Sequence, residues 1–283
     1  MQNLSPITIV KASGEKEQFN EEKVVRSLAK SGLSLDTASQ TVDYLKHHLK
    51  DDMTTSSIFG HVSTFLKEKA PVENYFNYGL KRAVMEMGPS GYPFEILISD
   101  MLRLENYKTE VSVITQGKCV THEIDVIAQK EKDKYFIECK YHNSPGYKTD
   151  IQVALYTYAR YQDINNVQLQ QNPDQTNHSW LITNTKVTSE VLSYSNCVGL
   201  KVTTWTLPNG EGLQDRITAS GLHPVTLLYH IPRKDINTLL GRGIVTCARL
   251  KTAILNNEVA DILSKDETSI ILKNISRICK NNE

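Results

Sequence analysis

The sequence has little that would mark a secreted or membrane-bound protein. Its five cysteines lie far apart, and none shows the spacing of a zinc site, so we expect neither disulfides nor structural zinc. The most apolar run, Phe94 to Leu104, is interrupted by Asp100 and Arg103 and is too short to cross a bilayer. The first residues lack the basic start and apolar stretch of a signal peptide. We therefore expect a soluble, cytoplasmic protein with no membrane partner.

An excess of charge of either sign is also lacking. The 32 basic side chains equal the 32 acidic ones, so the formal net charge is zero at pH 7. A strongly basic composition would have indicated a nucleic-acid partner, and this composition does not. The G-x-x-x-x-G-K-[ST] pattern is absent as well, which excludes a P-loop ATPase. Function must therefore be inferred from local patterns.

The 283 residues fall into three parts by their pattern of elements. Residues 1–88 contain a short strand and several amphipathic helices, and a Gly-Pro-Ser-Gly break follows at 88–91. Residues 89–213 alternate strands with helices, which predicts a mixed sheet flanked by helices. Residues 214–283 have the pattern of a small helical domain. The expected fold class is multidomain α+β or α/β.

The clearest chemistry lies on two strands of the middle part. Alternation puts Asp125 on one face of a strand near 121–129, and it puts Glu138 and Lys140 together on one face of a strand near 134–141. Glu-x-Lys alone is a weak signal, because the same tripeptide pattern occurs at a predicted helix start near residue 21. Its significance depends on whether the two strands pair.

A short, charged connection at Lys130–Asp133 predicts that the two strands form a hairpin. If Gln129 pairs with Lys134, Asp125 lies directly opposite Glu138, with Cβ atoms about 4.5–5.5 Å apart. Two like charges at that distance repel each other, and a divalent cation would remove the conflict. Mg²⁺ prefers one or two carboxylates and takes further oxygens from water and phosphate.

Two other polar residues fit around this pair. Glu95 lies on a mostly apolar helix before the strands, where it could reach a metal or serve only as a first-turn residue favoured by the helix dipole. Gln152 begins a later helix and shares a face with Tyr156, although a plain exposed amide is an alternative. His122 alternates away from the face of Asp125, and we expect it to be structural.

Together, Glu95, Asp125, the Glu138-Cys139-Lys140 tripeptide and the Gln152-x-x-x-Tyr156 pattern resemble the PD-(D/E)XK nuclease superfamily, in particular its Mrr-type restriction endonucleases. The resemblance covers roughly residues 90–207. It implies a DNA phosphodiesterase that depends on Mg²⁺ or Mn²⁺, with Asp125 and Glu138 as metal ligands and Lys140 at the nucleophile. Glu95 and Gln152 would complete the catalytic set.

The first part resembles an ATP-cone, a small regulatory nucleotide-binding domain. The residues that carry this resemblance are the 9–14 segment with Lys11, then Glu17, Asn20, Lys23 and the segment beginning at Thr55. The resemblance implies that Lys11 and Lys23 contact the phosphates of ATP or dATP, and that Glu17, Asn20 and Thr55 complete the pocket. Asn20 could instead be a helix N-cap, and the lysines could be ordinary surface residues.

The third part contains two predicted helices joined by a glycine-containing turn near 241–243, which loosely resembles a helix-hairpin-helix. Arg242, Arg249 and Lys251 could contact DNA phosphates there, and a packing or dimerisation hairpin is the alternative.

We therefore expect a metal-dependent DNA endonuclease of the restriction or DNA-processing type, regulated by ATP or dATP and acting as a homo-oligomer, with a dimer plausible because one such site cuts one strand. Two alternatives remain open: a non-catalytic nucleotide-sensing DNA-binding protein, and a nuclease subunit of a larger restriction system.

Overall fold

The computed structural model describes residues 7–278, and the chain forms two compact units, Met1–Arg82 and Ala83–Glu283. Each unit has buried apolar clusters of its own. The four cysteines among the described residues carry free thiols, whereas Cys279 and the first six residues lie outside the described range. Within residues 7–278, no helix is both long and apolar enough to cross a membrane.

Three short strands and four helices make up the first unit. They are β1 (Thr8–Val10), β2 (Lys16–Gln18), α1 (Glu21–Lys30), α2 (Leu35–Lys46), β3 (Met53–Thr54), α3 (Thr55–Lys69) and α4 (Val72–Met85), whose last residues fall beyond the unit boundary. Strand β1 lies between β2, to which it is antiparallel, and β3, to which it is parallel. One apolar cluster holds the unit together: Ile9, Leu28, Leu33, Ala38, Val42, Leu45, Ile58, Val62 and Leu66. The unit is mainly helical, as predicted, and its assignment as an ATP-cone stays a prediction.

Side-chain caps explain where three of these helices begin. Asn20, Ser34 and Thr54 each accept a hydrogen bond from the backbone N–H three residues further on. Such a bond satisfies one of the N–H groups that a helix N-terminus leaves without an intrahelical partner. The N-cap alternative for Asn20 is therefore confirmed, and its ligand-binding role stays a prediction.

The second unit is built on a central sheet with helices around it. Its elements are α5 (Tyr92–Leu104), β4 (Lys108–Gln116), β5 (Thr121–Lys130), β6 (Asp133–Lys140), β7 (Lys148–Thr149), α6 (Ile151–Gln171), β8 (Thr176–Thr183), β9 (Lys186–Val187), α7 (Ser189–Val198), β10 (Lys201–Thr203), α8 (Leu213–Ser220), α9 (Arg233–Gly241), α10 (Cys247–Leu255) and α11 (Lys265–Ile278).

Five strands form the central sheet, in the order β10-β8-β6-β5-β4. The first three of these in the sequence, β4, β5 and β6, are antiparallel neighbours. Helix α6 then crosses over so that β8 pairs in parallel with β6, and α7 likewise precedes the parallel strand β10. A mixed sheet of this kind, flanked by helices, confirms the predicted mixed α/β character of the middle part.

The predicted hairpin between β5 and β6 is confirmed in its register. Gln129 pairs with Lys134, and the pairing continues as far as Val126 with Ile137. The turn is shorter than predicted, because Lys130 also pairs with Asp133. Glu131, in this two-residue turn, has a φ of 54°, a conformation that such tight hairpins require.

The C-terminal helices share the second unit with the sheet. Arg216 of α8 forms an ion pair with Glu105 at the end of α5, with Nε 2.8 Å from Oε1. Arg249 of α10 binds Asp100 of α5, with Nη2 2.7 Å from Oδ1. Both ion pairs connect a C-terminal helix to α5, the helix that precedes the sheet, although the partners are more than a hundred positions apart in the sequence. The predicted division at residue 213 therefore separates segments that pack together, and their independence as domains stays a prediction.

Candidate active site

The regular alternation of side chains along β5 is interrupted near Asp125, and we call this interruption the kink. Asp125 lies just beyond the last residue pair of β5 and β6. Ile124 and Ile127 pack in the same apolar cluster, although simple alternation would put residues three apart on opposite faces. On the neighbouring strand, Ser112 has a φ of 53°, which is rare for a residue other than glycine. The kink therefore affects both strands at the same level.

Where the backbone pairing of β5 with β6 ends, a hydrogen bond from the backbone of β6 to a side chain of β5 takes its place. The last backbone pair is Val126 with Ile137, one position before Asp125 and Glu138 would pair. Oδ2 of Asp125 instead accepts a hydrogen bond of 2.7 Å from the backbone N–H of Cys139. The structure thus brings Asp125 to the strand of Glu138 by a bond that fixes the direction of its carboxylate.

Glu138 is held by two residues of helix α6. Its Oε1 accepts a hydrogen bond of 2.7 Å from the hydroxyl of Tyr156, and its Oε2 lies 2.7 Å from Nη1 of Arg160. The side chain of Glu138 is only 12% exposed, so these contacts orient a largely buried carboxylate. Arg160 is a site residue that the sequence reasoning missed, although it lies four residues after Tyr156 and hence on the same helical face.

Glu95 joins the same acidic group from helix α5. Burial raises the pKa of Glu95 to about 7, and the nearby charge of Asp125 adds to this effect. Ser112 donates a hydrogen bond of 3.4 Å to Oε2 of Glu95, which opposes the shift. Ser112 was not predicted from the sequence, because its position depends on the kink in β4.

The pKa of Asp125 is also raised, to about 6. Burial is the main cause and the charge of Glu138 is the second, while the N–H of Cys139 and the charge of Arg160 act in the opposite direction. Glu95, Asp125 and Glu138 therefore form one coupled group in which burial and mutual repulsion disfavour the ionised forms of Glu95 and Asp125. Such a site favours the binding of a cation.

Lys140 and Gln152 differ in how the structure places them. Lys140 ends β6 half-buried, next to Thr183 of β8 in the parallel register. Gln152 lies in the first turn of α6 and is exposed, and its backbone N–H donates to Oδ1 of Asp150 at 3.1 Å. No hydrogen bond of the Gln152 side chain occurs among the described residues. The position of Gln152 thus matches its predicted helix, and its catalytic role stays a prediction.

The turn between β4 and β5 is fixed to helix α6 beside this group. Asp163 accepts hydrogen bonds from the N–H of Cys119 and from Nε2 of His122, both at 2.8 Å. These bonds hold the pKa of Asp163 well below its usual range, chiefly through His122. His122, which was expected to be structural, binds Asp163 of the helix that also holds Glu138. Gly117 is required here, since a Cβ atom on it would overlap Oδ2 of Asp163.

In the first unit, a carboxylate lies between the two lysines that were predicted to bind phosphate. Oε2 of Glu17 is 2.9 Å from Nζ of Lys11 and 2.9 Å from Nζ of Lys23. Hydrogen bonds with the lysines lower the pKa of Glu17, and the bond to Glu17 is the main cause of the raised pKa of Lys11. Asn20 lies close to Lys23, because its side chain caps the helix that carries Lys23. Thr55 begins α3, next to the parallel pair of Val10 and Thr54.

Two of the basic C-terminal residues that were considered for DNA contact are engaged in ion pairs. Arg242 binds Asp261, and Arg249 binds Asp100. The turn between α9 and α10 contains Gly243 with a φ of 74°. These contacts favour the packing alternative for this hairpin over the DNA-binding one.

Comparison with known proteins shows to which family the part of the chain that contains this site is similar. Residues 87–209 match the Mrr_cat family, described as restriction endonuclease. An uncharacterized protein of Archaeoglobus fulgidus (strain ATCC 49558) is 38% identical over 153 residues, which are 54% of this chain and 83% of that protein. The crystal structure of AF1548, a protein of unknown function, covers 67% of this chain and 98% of its own, with 32% identity and a TM-score of 0.56.

The chain therefore belongs to the family of these relatives, and its residues 87–209 are a PD-(D/E)XK-like restriction endonuclease domain of the Mrr catalytic type. The predicted resemblance to a nuclease is confirmed at this level. The matched range begins and ends close to the predicted limits of 89 and 213.

Proposed function

We propose that the chain is a metal-dependent DNA endonuclease, of the restriction or DNA-processing type, with Asp125 and Glu138 as the ligands of Mg²⁺ or Mn²⁺. The observation that carries the proposal is the coupling of Glu95, Asp125 and Glu138 within a restriction endonuclease domain, with Glu138 on a strand that ends at Lys140. Raised pKa values in a group of buried carboxylates are typical of sites built for a charged ligand or for catalysis.

The donor set fits a magnesium ion. Of the two carboxylate oxygens of Asp125, Oδ2 accepts a hydrogen bond from the described residues and Oδ1 accepts none. Oδ1 is therefore available to a metal ion. Each oxygen of Glu138 accepts one bond, and a carboxylate oxygen can accept two. The described residues contain no group of three or more His, Cys, Asp and Glu side chains arranged to hold a metal. Mg²⁺ does not require such a group, because it keeps several water ligands.

Each residue of the site would have a distinct task. A bound cation would supply charge compensation at the phosphate and a more acidic water molecule. The N–H of Cys139 fixes Asp125, and Tyr156 and Arg160 orient Glu138. The ammonium group of Lys140 offsets negative charge that develops on the phosphate.

A cleavage assay tests this proposal. Plasmid and oligonucleotide DNA are incubated with the full chain and Mg²⁺, Mn²⁺ or EDTA. We expect cleavage only with metal, and we expect its loss in Asp125→Asn and Lys140→Ala. Asp133→Asn and Lys132→Ala are matched controls, since these residues lie in or next to the hairpin turn at the other end of β6. Full activity in Asp125→Asn and Lys140→Ala would overturn the proposal, and DNA binding without cleavage under any metal would favour a non-catalytic protein.

We also propose that ATP or dATP binds the first unit and regulates cleavage. The active form would be a homodimer, since one such site cuts one strand. The convergence of Lys11, Lys23 and Asn20 around Glu17 supports nucleotide binding, because the two ammonium groups could pair with phosphates in place of Glu17. Calorimetric titration with ATP and dATP should detect binding that Lys11→Ala with Lys23→Ala removes. Lys16→Ala, another exposed lysine of this unit that pairs with Asp52, is the control. Equal binding by the double variant would contradict the assignment.

A further inference from the structure

Directly after the strand that carries Lys140, two aromatic rings form what we call the aromatic shelf: His142 and Tyr147. Their ring centroids are 6.0 Å apart, with 6° between the ring planes. The side chain of Tyr147 is 64% exposed, so much of the ring that is not next to His142 faces solvent. The proposed cleavage chemistry gives this ring no task.

Buried polar groups fix the base of the shelf. The backbone N–H of His142 donates to Oδ1 of Asn184 at 2.9 Å, and Nδ2 of Asn184 donates to the carbonyl of His142 at 2.7 Å. The ring of His142 is 3.1 Å from Oγ1 of Thr149, which in turn donates to Thr183 at 3.2 Å. Asn184, Thr149 and Thr183 are almost fully buried. These contacts fix His142, and the ring of Tyr147 is stacked against this fixed ring.

The shelf is also close to positive charge. Lys140 lies two residues before His142, and its charge adds to the effect of burial in lowering the pKa of His142. Lys148 follows Tyr147 and pairs with Lys186 in the small parallel sheet of β7 and β9, and both lysines are exposed. Two exposed lysines, whose charge attracts phosphate, therefore lie next to Tyr147 in the chain and in the strand pairing.

We propose that the aromatic shelf binds an unpaired nucleotide, with its base stacked on Tyr147 and its neighbouring phosphates near Lys148 and Lys186. The inference rests on the proposed function in so far as that function makes DNA the substrate. Stacking on an aromatic side chain needs an open base face, and the faces of bases inside an intact duplex are covered by their neighbours. The preferred substrate is then DNA with a single-stranded segment beside the cleavage point, such as a flap or a fork.

Binding without metal tests the shelf separately from cleavage. The full chain is titrated in EDTA, with fluorescence anisotropy as the readout, against a duplex, a single strand of the same sequence and a fork. We expect Tyr147→Ala to weaken binding to the single strand and the fork about tenfold, equivalent to about 1.4 kcal/mol, and to change duplex binding less than about twofold. Tyr147→Phe should keep wild-type affinity, because it keeps the stacking ring. Tyr229→Ala, an exposed tyrosine outside the shelf, is the control.

Removal of a shelf lysine should affect DNA binding differently from removal of the Tyr147 ring. Lys186→Gln should weaken binding to all three DNAs and should lower the slope of log K against log salt by about 0.7 on the single strand, because one phosphate contact is lost. Unchanged affinity in Tyr147→Ala, or an equal loss on duplex and single strand, would overturn the proposal and would leave this ring free for a protein partner.

Cleavage of the same three DNAs with Mg²⁺ distinguishes this inference from the proposed function. A chain that binds through Tyr147 but cuts none of the DNAs keeps the shelf and loses the nuclease assignment. A chain that cuts DNA while Tyr147→Ala leaves its affinity for every DNA unchanged keeps the nuclease assignment and loses the shelf.

Discussion

Asp125→Asn should stabilise the metal-free protein while it abolishes metal binding. The amide has nearly the shape of the carboxylate, and its oxygen can still accept the hydrogen bond from the N–H of Cys139. What the substitution removes is a buried charge close to the carboxylate of Glu138. Relief of that electrostatic conflict should therefore appear as a gain in the free energy of unfolding.

The size and sign of the gain follow from the pKa of Asp125. A pKa raised from 3.8 to about 6 corresponds to about 3 kcal/mol at neutral pH. Because the buried amide has its own desolvation cost, we expect a gain of about 1–3 kcal/mol at pH 7.5. Well below pH 3.8, Asp125 is protonated both in the folded protein and in the unfolded chain, so the gain should vanish there. It should grow as the pH rises from about 4 through about 6, since only the folded protein then holds the extra proton.

Tryptophan fluorescence during urea unfolding in EDTA measures this gain in the right part of the molecule. The sequence has two tryptophans, Trp180 and Trp205, and both are buried in the second unit. Asp133→Asn is the matched control, because Asp133 is 49% exposed and lies at the other end of β6. A variant Asp125→Asn that is no more stable than the wild type at pH 7.5, or that shows the same gain at pH 4, would refute the electrostatic reasoning.

Three further perturbations test other contacts. Arg160→Gln removes a positive charge 2.7 Å from Glu138 and should tighten Mn²⁺ binding several-fold in calorimetry without DNA, whereas weaker binding would mean that Arg160 acts mainly by orienting Glu138. Gly117→Ala places a methyl group against Asp163 and should lower stability by about 1–3 kcal/mol in urea unfolding, and an unchanged midpoint would contradict the fixed turn. Asn20→Ala removes an N-cap and should lower the stability of the first unit by about 1 kcal/mol, seen as faster hydrogen exchange in α1; unaltered exchange would argue against the cap.

The register of the catalytic hairpin could be predicted because it depends on local rules. Strand alternation and the short connection after Gln129 leave few ways to pair β5 with β6, and the pairing of Gln129 with Lys134 follows. The same rules led to Glu138 and Lys140 on one face and to Asp125 as their neighbour. Glu95 was found because a carboxylate on an apolar helix face is unusual.

The kink at Asp125 could not be predicted, because no local pattern encodes it. It depends on the positive φ of Ser112 in another strand and on the hydrogen bond to Cys139. The contact of His122 with Asp163 was not predicted either, because strand alternation does not show which helix packs beside the strand. Arg160 was missed because its partner, Glu138, lies 22 residues earlier in the chain. Such contacts are fixed by tertiary packing, which periodicity alone does not reveal.

The most direct test of the central proposal is the rate of DNA cleavage as a function of Mn²⁺ concentration, measured for the wild type, Asp125→Asn and Asp133→Asn. The structure predicts a saturable, metal-dependent rate for the wild type and for Asp133→Asn, and no cleavage by Asp125→Asn at any Mn²⁺ concentration. Cleavage by Asp125→Asn with the same metal dependence as the wild type would contradict the assignment of this carboxylate group as the active site.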